Sequence, residues 1–145
     1  MNSEKCKSCF KISDKTNCQS AVLLLLRLVV GAAFLLHGSG KIQNPFGWMP
    51  GSPIPGFLQG LAALSEFGGG LALVLGLLTP LAMLGLAITM AVASCMHAFV
   101  FGDPFVNMTG GTSFELPLVY FSVALMFMFV GPGRFSLDNK IFGKK

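Results

Sequence analysis

The sequence predicts an all-α integral membrane protein, built as a four-helix bundle with both termini in the cytoplasm. Of its 145 residues, 53% are hydrophobic and only 11% are charged, whereas charged residues make up about 25% of a typical soluble domain. The apolar residues form four separate long runs, and a helix needs about 20 apolar residues to cross a bilayer. Four such runs are too few and too long for a closed β-barrel, so helices are expected in lipid.

The first run, about residues 20–39, follows a basic tail and in that respect is similar to a signal peptide. Arg27 interrupts the run near its middle, however, and no cleavage site of the A-x-A type comes after it. We therefore expect a transmembrane helix that is retained. The next segment, residues 42–56, is rich in Pro and Gly, which prevent a continuous helix, so it should form an ordered external loop.

The remaining runs cover about residues 57–78, 81–101 and 114–130. Thr79 and Pro80 mark a tight hairpin between the second and third helices, because Pro is favoured in the first turn of a helix. A polar segment containing glycines, residues 102–113, separates the third helix from the fourth. These boundaries divide the chain into a cytoplasmic tail (1–19), a four-helix membrane domain (20–133) and a second cytoplasmic tail (134–145).

The distribution of positive charge predicts the orientation. Of the ten Lys and Arg residues, all but Arg27 and Lys41 lie in the two tails. Positive charge is enriched on the cytoplasmic side of membrane proteins, so both tails should be cytoplasmic. Topology therefore accounts for the net charge of +4. The chain has no basic stripe with interleaved aromatic residues, so we expect membrane lipid and not nucleic acid as its partner.

Several ionisable residues fall inside predicted spans, where a charge costs about 2.5–3.5 kcal/mol and is a candidate functional group, and Arg27 and Glu66 lie deepest. Arg27 lies in the first helix and Glu66 in the second. Each shares a helix face with glycines, Gly31 in the first helix and Gly70 in the second, which would let the two helices approach closely. We therefore expect Arg27 and Glu66 to pair inside the bundle. The pattern fits a purely structural ion pair as well as a functional one.

Four further polar residues are predicted near the outer surface: His37, Lys41, His97 and Glu115. Together with Glu66 below them, they could form a polar chamber that opens outward. Histidine exchanges protons near neutral pH, so such a chamber would suit proton-coupled chemistry. The alternative for His37, Lys41 and Glu115 is that they are interfacial residues at helix ends, where polar groups reach water easily.

The cysteines indicate no metal centre. Cys6 and Cys9 form a C-x-x-C pair in the N-terminal tail, with Cys18 nearby. A zinc site needs four ligands, and this tail offers three cysteines and no histidine, so free thiols are the preferred interpretation. Cys95, in the third helix, is expected to pack in the core.

Several motifs in order resemble the DoxX family over about residues 20–142. They are the arginine of the first helix, HGSGK at residues 37–41, the E-x-GGG-x-x-L-x-L-GLLTP run at 66–80, a histidine that closes the third helix, a glutamate that opens the fourth, and GPGRFSLD at 131–138. The resemblance implies a multi-pass protein of the bacterial cytoplasmic (inner) membrane. By that likeness, the family's recurrent polar positions correspond to Arg27, His37, Lys41, Glu66, His97 and Glu115.

The resemblance also implies a link to quinone-dependent redox systems and to thiol and oxidative-stress homeostasis. We therefore expect a membrane subunit of such a system, working with redox-enzyme partner subunits. Glu66, His97 and Arg27 would be its catalytic groups, and His37, Lys41 and Glu115 would line the binding chamber. A quinone is the expected ligand, with no covalently bound cofactor, because the chain has no haem, flavin or iron–sulfur binding motif.

A non-catalytic membrane scaffold, or a transport module for a small solute, is the alternative function. The polar cluster would then hold the bundle together or line a path, and partner proteins would carry the chemistry. A chain of this length has little room for a path unless it forms a homo-oligomer. The fourth helix has bulky apolar residues for a surface that faces lipid or a second subunit, namely Phe121, Met126, Phe127, Met128 and Phe129.

Overall fold

A computed structural model describes residues 15–142, which contain five α-helices and no strand. The helices are α1 (Asn17–Lys41), α2 (Gly56–Leu75), α3 (Thr79–Cys95), α4 (Glu115–Val130) and α5 (Leu137–Phe142), and a π-helical turn, Met96–Val100, continues α3. Helices α1, α2 and α3 with its π-turn are long and apolar enough to cross a membrane, and α4 is a shorter apolar helix. The predicted all-α membrane bundle is thus confirmed, whereas its division into two tails and a domain stays a prediction.

Helix α1 begins three residues earlier than its hydropathy predicts because it has a capping box. The Gln19 main-chain N–H donates to Thr16 Oγ1 over 3.2 Å, and the Thr16 N–H donates to Gln19 Oε1 over 2.9 Å. Two main-chain donors at the helix start are satisfied in this way. A search for apolar runs cannot detect such a start, because the capping residues are polar.

The turn between α2 and α3 lies earlier in the chain than predicted, because α2 ends at Leu75 and not at residue 78, and α3 begins at Thr79. Gly76 and Leu78 both adopt left-handed backbone conformations, with φ of 64° and 46°, which no helix can continue. Asp138, far away in sequence, accepts hydrogen bonds from the main-chain N–H groups of Leu78 (2.7 Å) and Thr79 (2.8 Å). The C-terminal segment therefore caps the start of α3.

Glycines bring α1 and α2 into close contact, as the small-residue faces predict. A Cβ atom on Gly38 would lie 2.5 Å from the main-chain nitrogen of Phe67, and one on Gly70 would lie 2.9 Å from the carbonyl oxygen of Gly31. Both distances are too short for a carbon atom beside backbone. Close backbone contact of this kind is how membrane helices associate without a hydrophobic driving force.

The core is small, and most apolar side chains point outward. It includes Phe34 of α1, Leu73 of α2, Leu86 of α3 and Phe127 of α4. Many large apolar residues on α1–α4 are exposed, far more than a soluble monomer presents to water. In a membrane protein these side chains face lipid.

Two expectations about burial are wrong. Phe127, expected on an outer surface of the fourth helix, is fully buried, and Phe121, Met126 and Met128 of the same helix pack against the core. Helix α4 is apolar all round, so its sequence cannot distinguish a core face from a lipid face. Cys95, expected in the core, is exposed at the end of α3. A small apolar residue suits either environment in a membrane.

Both ends of the described chain lie at one end of the bundle. The Arg134 main-chain N–H donates to Ser20 Oγ over 3.2 Å, and Arg134 Nη1 donates to Asn17 Oδ1 over 3.3 Å. The charge distribution assigns this end to the cytoplasm, so the loops after α1 and after α3 lie at the outer end. Cys6 and Cys9 lie outside the described residues.

Candidate functional site in the outer half of the bundle

A buried ion pair joins α1 to α2 near the outer end of the bundle. Lys41, the last residue of α1, places its Nζ atom 2.6 Å from both carboxylate oxygens of Glu66. The Glu66 side chain is only 4% exposed and that of Lys41 is 26% exposed. A buried carboxylate is costly unless it is paired and hydrogen-bonded. Lys41 supplies both the charge and the donors.

The expected pairing of Arg27 with Glu66 is wrong. Arg27 is 1% exposed, but it lies in the cytoplasmic half of the bundle. Its guanidinium donates over 2.7–3.2 Å to four main-chain carbonyl oxygens, those of Leu73, Val74, Pro132 and Phe135. These carbonyls belong to the last turn of α2 and to the segment after α4. Arg27 therefore ties the C-terminal segment to the bundle and takes no part in the outer cluster.

Side-chain direction explains why Glu66 pairs with Lys41 and not with Arg27. Along a helix, side chains lean toward the N-terminus. The N-terminus of α1 is cytoplasmic, so Arg27 leans away from the outer end and Lys41 leans down into the bundle. The N-terminus of α2 is at the outer end, so Glu66 leans up toward Lys41. Helix register separates them further: Gly38 is in contact with Phe67, and Arg27 lies eleven residues below Gly38 on α1, which is about 16 Å along the helix.

The loop between α1 and α2 is folded over this ion pair. The Lys41 ammonium lies 4.5 Å from the centroid of the Trp48 ring, a distance suited to a cation–π interaction. Trp48 Nε1 donates to the Gln59 carbonyl over 2.9 Å, and the nearly buried Gln59 side chain accepts from the Met49 N–H over 3.0 Å and donates to the Ile54 carbonyl over 2.9 Å. Gln59 therefore holds the loop in place.

His97 lies in the π-helical turn after α3 and forms a pair with Asp103. The distance from His97 Nδ1 to Asp103 Oδ2 is 2.7 Å, and Thr112 Oγ1 donates to the other carboxylate oxygen over 2.7 Å. Within residues 15–142, Nε2 of His97 takes part in no hydrogen bond. A carboxylate at Nδ1 favours the tautomer that leaves the lone pair on Nε2. Single π-helical turns often occur at functional sites.

The hydrogen bonds to Asp103 also affect its ionisation. The hydrogen bond with His97, followed by that with Thr112, lowers the pKa of the Asp103 carboxyl below its ordinary value. Both bonds favour the charged carboxylate. Asp103 lies in the outer loop, beyond the membrane-spanning segment that ends at Val100, so its carboxylate connects the His97 ring to the outer surface.

Two cavities meet at the Lys41–Glu66 pair and His97. The larger, about 470 Å³, lies between α2, α3 and the folded loop, and the smaller, about 190 Å³, lies between α1, α3 and α4. Lys41, Glu66 and His97 line both of them. The walls of both cavities are mainly apolar. Three polar groups are thus concentrated on the boundary between two apolar spaces, and we call them the outer triad.

The structure brings together only part of the set predicted from sequence. His37 is exposed and lines the smaller cavity, so it lies at the margin of the outer triad. Glu115 is exposed in the first turn of α4 and lines neither cavity. Glu115 therefore fits the prediction of an interfacial residue at a helix end better than the prediction of a residue that lines the polar chamber. Arg27 is at the opposite end.

Three residues around the site were missed by sequence reasoning: Asp103, Trp48 and Gln59. For Asp103 the sequence contains one weak signal, because an acidic residue follows shortly after a histidine at a helix end. Trp48 suggests a membrane interface and not a contact with Lys41, and Gln59 offers no pattern at all. Their roles depend on how two loops fold back over the bundle.

Comparison with known proteins places the chain in a family. Residues 22–101 match DoxX, a region that includes all three members of the outer triad. An uncharacterised protein of Haemophilus influenzae is 37% identical over 125 residues, which cover 84% of this chain and 92% of that protein. Inner membrane protein YqjF of Escherichia coli is 32% identical over 126 residues, which cover 85% of this chain and 93% of that protein. No solved structure shows a significant match.

The matches agree with the architecture on each point that they address. The DoxX region spans α1, α2 and α3, and the relatives align over nearly their whole length. One relative is named as an inner membrane protein, and residues 15–142 of this chain contain three helices able to cross a membrane. The expected resemblance is therefore confirmed: the chain belongs to the DoxX family and is a multi-pass inner membrane protein.

Proposed function

We propose that this DoxX-family protein is the membrane subunit of a quinone-linked redox system, and that the quinone headgroup binds at the outer triad. One observation carries the proposal. An ammonium, a carboxylate and an imidazole backed by Asp103 all line the same apolar cavity of about 470 Å³. Apolar pockets of this size with a few convergent polar groups are typical ligand sites.

The residues present fit the chemistry of a quinone. Its headgroup is a flat, largely apolar ring whose oxygens form hydrogen bonds. Lys41 is a donor, His97 offers its Nε2 atom, and Trp48 and Met49 provide apolar wall. When bound, a quinone supplies two-electron chemistry coupled to two protons.

The residues of the chain would orient the headgroup and exchange its protons. His97 is held at Nδ1 by Asp103, which leaves the Nε2 lone pair to accept a hydrogen bond from a hydroxyl of the reduced headgroup. Lys41 neutralises Glu66 and takes the role expected of Arg27. Because Asp103 is partly exposed in the outer loop, protons would be exchanged with the outer side of the membrane.

Intrinsic fluorescence provides a direct test. Trp48 is the only tryptophan in the chain and lines the larger cavity, so a quinone bound there should quench its emission. We expect ubiquinone and menaquinone analogues to quench Trp48 saturably in protein reconstituted into nanodiscs. Glu66→Gln and His97→Ala should each weaken binding by about tenfold or more, equivalent to about 1.4 kcal/mol.

Glu115→Gln is the matched control, because it makes the same chemical change at an exposed carboxylate that lines neither cavity. Unchanged quinone affinity in both Glu66→Gln and His97→Ala would contradict the proposal, as would an equal loss in Glu115→Gln. A protein that binds no quinone, and that alone oxidises no quinol, would instead fit the scaffold or transport alternative.

A further inference from the structure

The larger cavity has an apolar side wall at the seam between α2 and α3. Leu58 and Leu61 of α2 and Ile88 and Val92 of α3 line this seam, and each is 46–58% exposed. Exposed apolar residues on these helices face the bilayer. The cavity therefore extends from the outer triad, inside the bundle, to the lipid-facing surface.

The seam is open only over a limited height. Toward the cytoplasm it is closed by close packing, because a Cβ atom on Gly85 would lie 3.0 Å from Ser65 Oγ, and one on Gly69 would lie 3.0 Å from Leu86 Cγ. Toward the outer surface, the loop after α1 forms a roof that Gln59 holds in place. The opening between these limits faces the outer leaflet.

The seam is mainly apolar and therefore suits a polar molecule poorly. Thr89 lines it, but its hydroxyl donates to the Gly85 carbonyl over 3.0 Å. The polar groups that face the cavity lie instead at its inner end, where Lys41 meets Glu66. Polarity therefore increases from the lipid-facing surface toward the outer triad, which matches a molecule with a polar head and an apolar chain.

We infer that the ligand enters sideways from the outer leaflet through the α2–α3 seam, and that its apolar tail remains in the seam while its head contacts the outer triad. This inference rests on the proposed function and narrows its ligand to quinones that carry an isoprenoid tail. The tail contributes affinity because it buries apolar surface against Leu58, Leu61, Ile88 and Val92. Small water-soluble quinones with the same headgroup are then poor ligands.

A series of ubiquinones with no, one and two isoprene units tests the role of the tail. Affinity is measured by Trp48 quenching in nanodiscs and expressed per mole fraction of quinone in the membrane, which removes simple partitioning. We expect binding to tighten by about tenfold or more between the tailless compound and the one with two units. Val92→Phe, which narrows the seam, should weaken the tailed quinones about tenfold and leave the tailless compound unchanged.

Val29→Phe is the matched control, since Val29 is an exposed apolar residue of α1 that lines neither cavity. A tailed quinone with a diazirine at the end of its tail gives a second measurement that needs no variant. It should label peptides from α2 and α3 around residues 58–61 and 88–92.

The possible results separate this inference from the proposed function. Equal affinity for tailed and tailless quinones, or labelling confined to residues 42–55, would overturn lateral entry, even while Glu66→Gln still weakened headgroup binding. The absence of saturable binding by any quinone would remove the proposed function and this inference together.

Discussion

Glu66 is a nearly buried carboxylate whose charge is balanced by Lys41 at 2.6 Å. Removing one member of a buried pair leaves an uncompensated charge, whereas replacing both members by apolar residues is often close to neutral. At the scale of single residues, the pair is therefore a weak source of stability, although each member depends strongly on the other. This asymmetry distinguishes a true buried pair from two independent surface charges.

We expect Lys41→Met to destabilise the protein by about 3 kcal/mol, because Glu66 would lose its cation. The double variant Lys41→Met with Glu66→Leu should recover most of that loss. The measurement is unfolding by sodium dodecyl sulfate in mixed micelles, analysed as a double-mutant cycle. Glu115→Leu serves as the control and should change stability by less than about 0.5 kcal/mol. Additive losses in the double variant would contradict the coupling.

Asp103 should make stability depend on pH in the acidic range. Its pKa is lowered in the folded protein, first by the hydrogen bond with His97 and then by that with Thr112. A group with a lowered folded pKa contributes stability that is complete above the unfolded value, about 3.9 for Asp, and is lost as the pH falls through the folded value. The contribution is thus present at neutral pH and disappears below about pH 4.

Asp103→Asn should remove this pH-dependent contribution. We expect wild type to be more stable than the variant at about pH 5, with a difference that shrinks as the pH falls below about 4. Thermal unfolding at a series of pH values gives the measurement. A difference that grows as the pH falls below about 4 would have the opposite sign and would disprove the assigned role of the Asp103–His97 pair.

At the scale of helices, the site depends on how closely α1 and α2 pack. Gly38 lies less than one turn from Lys41, and its face is in backbone contact with Phe67, the residue next to Glu66. This contact sets the height at which the ammonium meets the carboxylate. The π-helical turn after α3 performs a similar task for His97, because it places the ring at both cavities.

Gly38→Ala should disrupt this packing, because the added Cβ would lie 2.5 Å from the main-chain nitrogen of Phe67. We expect a loss of about 1–3 kcal/mol, typical of overpacking. Gly40→Ala is the matched control on the same helix, with nothing within 4 Å of its added Cβ, and it should be neutral or slightly stabilising. Unfolding in mixed micelles measures both, and equal effects would contradict the close contact.

At the scale of the whole molecule, the two ends of the bundle have different tasks. The cytoplasmic end is joined by Arg27, which binds carbonyls of α2 and of the C-terminal segment, and by Asp138, which caps α3. The outer end contains the triad, both cavities and two folded loops. One end therefore holds the helices together, and the other contains the cavities in which we propose that a ligand binds.

This division requires a definite orientation in the membrane. We expect a fluorescent protein fused after Lys145 to fold in the cytoplasm and fluoresce, because the basic tails should remain inside. Alkaline phosphatase inserted in the outer loop at residues 107–111 should be active, because that loop should lie outside. The reverse pattern would place the outer triad on the cytoplasmic side and would contradict proton exchange with the exterior.

The sequence by itself determined the environment and the class of fold. Long apolar runs, their separation by loops and the positions of cations are local properties, so they predicted a membrane bundle and its orientation. The sequence also identified Lys41, Glu66 and His97 as candidates, because a polar residue in or beside an apolar span stands out without any structure.

Only the tertiary structure decided which of these groups meet. Glu66 pairs with Lys41 and not with the predicted Arg27, because the choice of partner depends on side-chain direction. Asp103, Trp48 and Gln59 joined the site through loops whose folding has no periodic signal. Asp138, near the other end of the chain, caps helix α3, whose first residue is Thr79. Such contacts join residues distant in sequence, and local composition therefore contains no information about them.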